Sequence, residues 1–331
     1  MNNTTSKVKP SRANKTTSTI TFLPKEYAED IDCLESFLEY VKQHHSSIDM
    51  IMFLVTVKVL EYNNEIKVEN ITNISTYQFS RTVIKDIMTE WFMMVDVDHN
   101  IYDLIIVSNE GDFLGLVYQS LLSGGKKSKL GSFYTPKNLV VDSLTTVLTN
   151  HSTDILLDPC CGSGQYLLVA AKQFELSIDR LVGFDNDPIA IQLAKINLLL
   201  HFKEYNFCPR LYHVNTLSES ELNQLRFFDN VLDDITVIAT NPPWGNIRKK
   251  EHYEGEVKSN EMFSMFIERA IQLLPIGGKA SFIIPESFLS IKIHADIRFL
   301  LLSQCKIINI ELLGRPFTNV FTSVIRIDFI K

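Results

Sequence analysis

The chain has 331 residues, 45% of them hydrophobic and 21% charged, with a net charge of −7. That length buries a full core in one large domain with a smaller one attached, and the balance is that of a soluble globular chain. An acidic total excludes a generally basic surface, so any polyanion must be met by local patches. Five cysteines (Cys33, Cys160, Cys161, Cys208 and Cys305) show no paired metal spacing, and their odd number fits a reducing compartment better than a disulfide scaffold. No signal peptide and no bilayer-length apolar run is visible, so a cytoplasmic protein is expected.

Residues 1–20 are rich in Asn, Thr, Ser and Lys and are expected to form a disordered tail. Helical spacing follows: Tyr27, Ile31, Leu34, Phe37, Leu38 and Val41, then a strongly apolar stretch over 48–60, then candidates over 78–94 and 113–122. Residues 21–125 thus read as a helical N-terminal domain, either a packing cap or a partner-docking surface. A basic Gly-containing turn at 124–129 leads to residues 126–331, where strands alternate with helices and predict a doubly wound α/β sheet.

Thr135-Pro136 marks a helix start, with Thr135 as N-cap and Pro136 as the first helical residue of a segment running through 139–148. The hydroxyls of the Phe133-Tyr134-Thr135 segment are placed to bind a carboxylate near that terminus. Next, the apolar run 155–157 turns through Asp158-Pro159-Cys160-Cys161-Gly162-Ser163-Gly164 into a helix over 165–173. Small residues at such a strand-to-helix turn let backbone N–H groups approach a ligand. About 20 residues further on, a strand over 180–184 ends in Asp185, positioned to accept hydrogen bonds from ribose hydroxyls. The turn matches neither Gly-x-Gly-x-x-Gly nor a phosphate-cradling loop, which favours a nucleoside carrying an amino acid over one carrying a pyrophosphate. A third strand, over 210–214, ends at Asn215, whose amide can meet an adenine ring.

The run 237–240 then delivers Asn241-Pro242-Pro243-Trp244 to the carboxyl rim of the sheet, where ligands of open α/β sheets bind. Methylation of a planar amine suits this constellation. The Asn241 side-chain oxygen and the Pro242 carbonyl can accept its two hydrogens and draw the nitrogen toward tetrahedral geometry, and Trp244 offers a face on which a heterocycle stacks. The prolines stiffen the turn and bring no competing N–H. Taken alone, Asn-Pro-Pro is also an ordinary strand terminator. A polar segment with Arg248, Lys249 and Lys250, a helix over 262–274, a strand over 280–284, a helix over 291–302, a strand over 307–312 and a closing strand over 322–330 complete the chain.

In this order the motifs resemble the N6-adenine DNA methyltransferases of the gamma class, of the type IIG and type I modification proteins of restriction-modification systems. The resemblance covers residues 113–331: Leu-Gly-x-x-Tyr-x-x-Leu-Leu at 114–122, Gly-Ser-Phe-Tyr-Thr-Pro at 131–136, Asp-Pro-Cys-Cys-Gly-Ser-Gly at 158–164, Gly-Phe-Asp-Asn-Asp-Pro at 183–188 and Asn-Pro-Pro-Trp at 241–244. It implies the Rossmann-like methyltransferase fold and S-adenosyl-L-methionine as donor, held by Thr135, by Asp158, Cys160, Gly162 and Gly164, by Asp185 at the ribose and by Asn215, which stands where the family usually has Asp. It also implies a target adenine flipped out of DNA, stacked on Trp244 with Phe317 against the same base. Because the sequence reaches Lys331 with its catalytic part, a separate specificity or target-recognition subunit is expected. Asn-Pro-Pro-aromatic turns also serve enzymes that methylate protein glutamine or RNA adenine, and a cofactor-binding assembly subunit without activity is a further alternative.

Overall fold

The computed structural model describes residues 37, 38, 40, 41, 47–107, 112–122, 134–247, 253–317 and 321–331. The expected tail, most of the helix over 25–45, the turn at 124–129, Phe133, and Arg248, Lys249 and Lys250 lie outside the described residues.

Helix α1 (Ile48–Tyr62) is apolar on most of its circumference and buried from Met50 to Val57 and at Val59 and Leu60, as a helix must be when it has little polar face to give to water. Around it lie the short strands β1 (Ile66–Lys67) and β2 (Gln78–Phe79), paired antiparallel, then α2 (Thr82–Phe92), α3 (His99–Tyr102) and α4 (Phe113–Leu121). The helix expected over 78–94 therefore starts four residues late, because Gln78 and Phe79 pair with Lys67 and Ile66. Helix α4 is N-capped by Asp112, whose carboxylate accepts Gly115 N–H at 2.8 Å.

Seven strands form the main sheet: β3 (Leu156–Asp158), β4 (Leu181–Asp185), β5 (Arg210–His213), β6 (Val237–Thr240), β7 (Lys279–Pro285), β8 (Lys306–Gly314) and β9 (Val324–Ile330). Their spatial order is β5-β4-β3-β6-β7-β9-β8. The first five run parallel; β9 enters antiparallel between β7 and β8. The chain moves one way from β3 through β5 and the other way from β6, so the sheet reverses its winding between β3 and β6, where open α/β sheets bind ligands. Strands β3, β4 and β6 are apolar up to their last residues, Asp158, Asp185 and Thr240, because helices cover both faces.

The helices are α5 (Lys137–Val147), α6 (Gln165–Phe174), α7 (Pro188–His201), α8 (Glu219–Phe228), α9 (Met262–Leu273) and α10 (Ala295–Gln304). Pro136, not Thr135, is the N-cap of α5, and the Thr135 hydroxyl turns away to meet Asn241. The helix expected from 291 begins as a 3-10 turn at Lys292–His294 and becomes α-helical at Ala295.

Helix α7 ties the N-terminal helices to the sheet. Its outward residues Ala190, Leu193, Ile196 and Leu199 share one apolar cluster with α1, α2 and α4. At its C-terminal end Arg81, half-buried and paired with Glu65 at 2.9 Å, donates to the carbonyls of Leu199, Phe202 and Tyr205. A guanidinium at the C-terminal end of a helix gives its last carbonyls a donor and complements the helix dipole. Among the described residues no helix is long and apolar enough to cross a membrane, and no group of His, Cys, Asp or Glu is arranged to hold a metal ion.

Candidate active site

The turns after β3, β4, β5 and β6 open on one cavity of about 430 Å³ at the reversal point of the sheet. Thr135, Asp158, Cys160, Gly162, Asp185, Asn215, Asn241 and Pro243 line it, so most of the residues singled out in the sequence converge. Gly164 stands behind the lining as the first residue before α6. Its φ of +88° is left-handed, and a Cβ there would lie 3.2 Å from Ala194 Cβ, so the glycine sets how closely α6 approaches α7. Gly162 is also left-handed, at φ +53°, but a Cβ on it would meet nothing within 4 Å, leaving open space beside the turn.

The turns after β3, β4 and β5 are held by hydrogen bonds between their backbone and one another's backbone and side chains. Cys161 N–H donates to Phe184 O at 2.8 Å, and Gly162 N–H to the Asp185 carboxylate at 2.8 Å. The same carboxylate accepts Asp187 N–H at 2.9 Å, and the Thr216 hydroxyl donates to Pro159 O at 2.5 Å. Asn215 closes its own turn by accepting Leu217 N–H at 3.0 Å. Burial pushes the Asp185 carboxyl up to about 6 and Asp158 up to about 7. In both cases the loss of water outweighs the hydrogen bonds that favour the ionised form.

Thr240, the last residue of β6, joins the two halves. Its hydroxyl donates to Asp158 at 2.7 Å. With that hydrogen committed, the Cys160 thiol, 3.0 Å away, is the donor to Thr240 Oγ1. Burial raises the Cys160 pKa far above the ordinary thiol range, so it stays a thiol rather than a reactive thiolate.

The Asn241 carboxamide is fixed on one side only. Its Nδ2 donates to Thr135 Oγ1 at 3.0 Å, while its Oδ1 is buried and has no hydrogen-bond partner among the described residues. A buried carbonyl oxygen without a donor costs about 1–3 kcal/mol, a cost that an incoming N–H relieves. Pro242 is buried directly after it. Trp244 lies outside the cavity lining, half-buried, with its Nε1–H donated to Ile283 O at 3.3 Å. Phe317 is buried and meets the indole edge-on, centroids 5.1 Å apart at 87°, in a small cluster with Leu139, Ile283 and Val324.

Sequence pattern did not single out Tyr253, Met262 and Phe266, which wall the cavity from the segment after Asn-Pro-Pro-Trp and from α9. Tyr253 is held by the buried Glu268, which also accepts the N–H groups of Glu256 at 2.6 Å and Val257 at 3.1 Å. The signal was an unpaired acid in an apolar helix. Asp112, Tyr118, Ser163, Asp187 and Asn197 were missed as a group because their contacts join residues far apart in sequence.

A doubly wound sheet with a small-residue turn after its first strand, an acid at the end of the second and Asn-Pro-Pro-Trp after the fourth gathers these groups at one rim, where open α/β sheets bind ligands. Sequence comparison places it more closely: the N-6 DNA methylase model matches residues 109–325, and the chain belongs to that family. It is 27% identical over 229 residues to the type II methyltransferase M.VspI of Vibrio sp. (strain 343), covering 66% of this chain and 52% of that protein. It is 24% identical over 233 residues to the EcoEI type I restriction enzyme methylase subunit of Escherichia coli, covering 66% of this chain and 46% of that one. The chain thus spans about half the length of these relatives. Among solved structures, the type I restriction-modification methyltransferase subunit from Streptococcus thermophilus superposes over 91% of this chain and 66% of its own, with a TM-score of 0.53 at 16% identity. That likeness shows the fold.

Proposed function

We propose that this chain transfers the methyl group of S-adenosyl-L-methionine to the N6 amino group of an adenine flipped out of DNA, within a restriction-modification system. The observation that carries the reading is the buried, unpartnered Oδ1 of Asn241 in the same cavity as Asp185 and the Gly162 turn.

The residues fit the cofactor by their chemistry. Asp185 is an acceptor for ribose hydroxyls, Asp158 for an amino acid's ammonium, and the space beside Gly162 admits a ligand against the backbone. Cys160, Gly164, Asn215 and Thr135 complete the set as wall, helix spacer, adenine neighbour and brace. When bound, the sulfonium supplies an electrophilic methyl group and departs as a neutral thioether.

Asn241 Oδ1 and the Pro242 carbonyl would take the two amine hydrogens, keeping the nitrogen lone pair out of ring conjugation and aimed at the methyl. Thr135 holds the carboxamide in that orientation, and Pro243 keeps the turn rigid. No general base need act before transfer, because the product ammonium loses its proton afterwards. Trp244 stacks on the base, and Phe317 packs beside it.

We assign residues 126–331 to catalysis and residues 21–125 to the helical domain. A separate specificity or target-recognition subunit is proposed as partner: the Escherichia coli relative is a subunit by name, and an acidic chain has little electrostatic grip on a duplex of its own. The test is transfer of labelled methyl to unmethylated duplex DNA, with RNA and a glutamine peptide as rival acceptors, with and without the partner. Label appearing in N6-methyladenine of DNA is the expected result; label confined to the peptide or RNA overturns it.

A further inference from the structure

Helix α4 and its N-cap hold the turns of the cavity through two sets of polar contacts. At the start of α4, the Asp112 carboxylate accepts Gly115 N–H, Asn197 Nδ2–H at 2.7 Å and the Ser163 hydroxyl. Asn197 also donates to Ser163 O at 2.9 Å, so the Ser163 hydroxyl and carbonyl are both engaged. Two turns along α4, the Tyr118 hydroxyl donates to Asp187. Asp187 in turn caps α7 by accepting Ile189 N–H at 3.0 Å, and passes its own N–H to Asp185.

These contacts close a ring. Asp112 holds Ser163; Gly162, the residue before it, donates to Asp185; Asp185 accepts from Asp187; Asp187 accepts from Tyr118; and Tyr118 returns through α4 to Asp112. Both ligand-facing turns, 162–164 and 185–187, sit inside the ring. The fit is tight: a Cβ on Gly115 would overlap both Ser163 Oγ and Asp112 Oδ2, so any larger residue would push apart the two side chains that join α4 to the turn. Burial and the neighbouring Asp187 raise the Tyr118 pKa well above its usual value, which keeps the hydroxyl a donor.

We propose that α4 is a latch on the cofactor site. Asp112 and Tyr118 are positioning residues that lock the two turns together, so cofactor occupancy and docking of the N-terminal helices on the sheet reinforce each other. The inference rests on the S-adenosylmethionine reading above. By linkage, a ligand that needs the latched turns must tighten α4, and loosening α4 must cost affinity by the same factor.

Two variants isolate the latch. Tyr118→Phe keeps the ring in the cavity wall and deletes only the hydroxyl. Asp112→Ser keeps an N-cap for α4 but is too short to hold Ser163 and Asn197, and Asp112 itself does not line the cavity. Calorimetry with S-adenosylhomocysteine should show affinity weakened about 3- to 10-fold in Tyr118→Phe, the range of one hydrogen bond. Asp112→Ser should weaken it at least as much. Amide hydrogen exchange on the wild type should slow several-fold across Phe113–Leu121 when the ligand saturates, with α10, which packs in a separate apolar cluster, unchanged as the internal control.

Wild-type binding with Tyr118→Phe within twofold, or α4 exchange indifferent to ligand, overturns the latch and leaves the cofactor reading standing. Absence of any binding by the wild type overturns both. If Asp112→Ser does not fold, Tyr118→Phe and the exchange measurement decide alone.

Discussion

The two sides of the cavity are built in opposite ways. Around the turns after β3 and β4 each donor and acceptor named above is engaged: Gly162 on Asp185, Cys161 on Phe184, Thr216 on Pro159, Ser163 on Asp112. Across the cavity, the turn after β6 stops short, and Asn241 is braced by Thr135 through its nitrogen while its oxygen is left open. The contrast separates holding from reacting. A binding surface gains by being fixed in advance, whereas an acceptor acting on a reacting amine must be oriented yet unoccupied.

The sharpest way to break this comparison is Asn241→Ala. It should lower the rate of methyl transfer about 100- to 1000-fold, the usual cost of one transition-state contact, while cofactor affinity measured by calorimetry stays within a few-fold. Near-normal transfer would reduce the Asn-Pro-Pro-Trp segment to a turn. Asp185→Ala should do the reverse, costing about 2–4 kcal/mol of cofactor binding because two charge-assisted hydrogen bonds are lost together. Loss of transfer with unchanged binding in that variant would move the ribose site elsewhere.

The pH dependence sharpens the same point. Asp185 and Asp158 are raised to about 6 and about 7, so both bind protons as pH falls through that window, and a protonated carboxyl is a poor acceptor for ribose or ammonium. Cofactor affinity should therefore decline below about pH 7 and fall about tenfold per unit once one group is largely protonated. The fold itself responds with the opposite sign. These carboxyls have higher pKa values folded than the 3.8 of a free aspartate, so their contribution to stability drops as pH rises from about 4 through 7. Calorimetric affinity and ligand-free melting temperature, recorded from pH 5 to pH 8, should thus run against each other; parallel trends would refute the assignment.

Trp244→Ala should weaken capture of the extruded base by about 1–3 kcal/mol, read as binding to duplexes with an abasic partner opposite the target. Its effect on the cofactor should be nil. The smallest effect is expected from Gly164→Ala, which forces a left-handed residue against Ala194 and should cost about 1–2 kcal/mol of stability by thermal unfolding.

Much of the cofactor side was legible in the sequence because its signals are local. A strand, a run of small residues and a helix lie within 155–173, and Asp185 ends the next strand. Asn241 was legible for the same reason. The latch was not, since Asp112 and Ser163 are 51 residues apart, and Tyr118 and Asp187 are 69 apart. Asp112 reads as an ordinary helix cap, which it also is. Thr135 misled in the other direction: Thr-Pro is a strong start signal, but a better partner for its hydroxyl arrives from residue 241. The pairing of Gln78 and Phe79 with Ile66 and Lys67 likewise overrode a helical pattern through a contact that no short window contains.

Strand β9 carries a consequence for synthesis. It is made after β8 yet lies between β7 and β8, and among the described residues β8 pairs with no other strand. At roughly 5–20 residues per second, the ribosome must complete residues 324–330 and clear them from its exit tunnel before the apolar edge of β7 is covered and β8 can be placed. For those seconds the nascent sheet ends in an open edge, the kind of surface that recruits a strand from a neighbouring chain. A translational pause near this point would lengthen that exposure, making the yield of folded protein sensitive to codon choice there while the native structure stays unchanged.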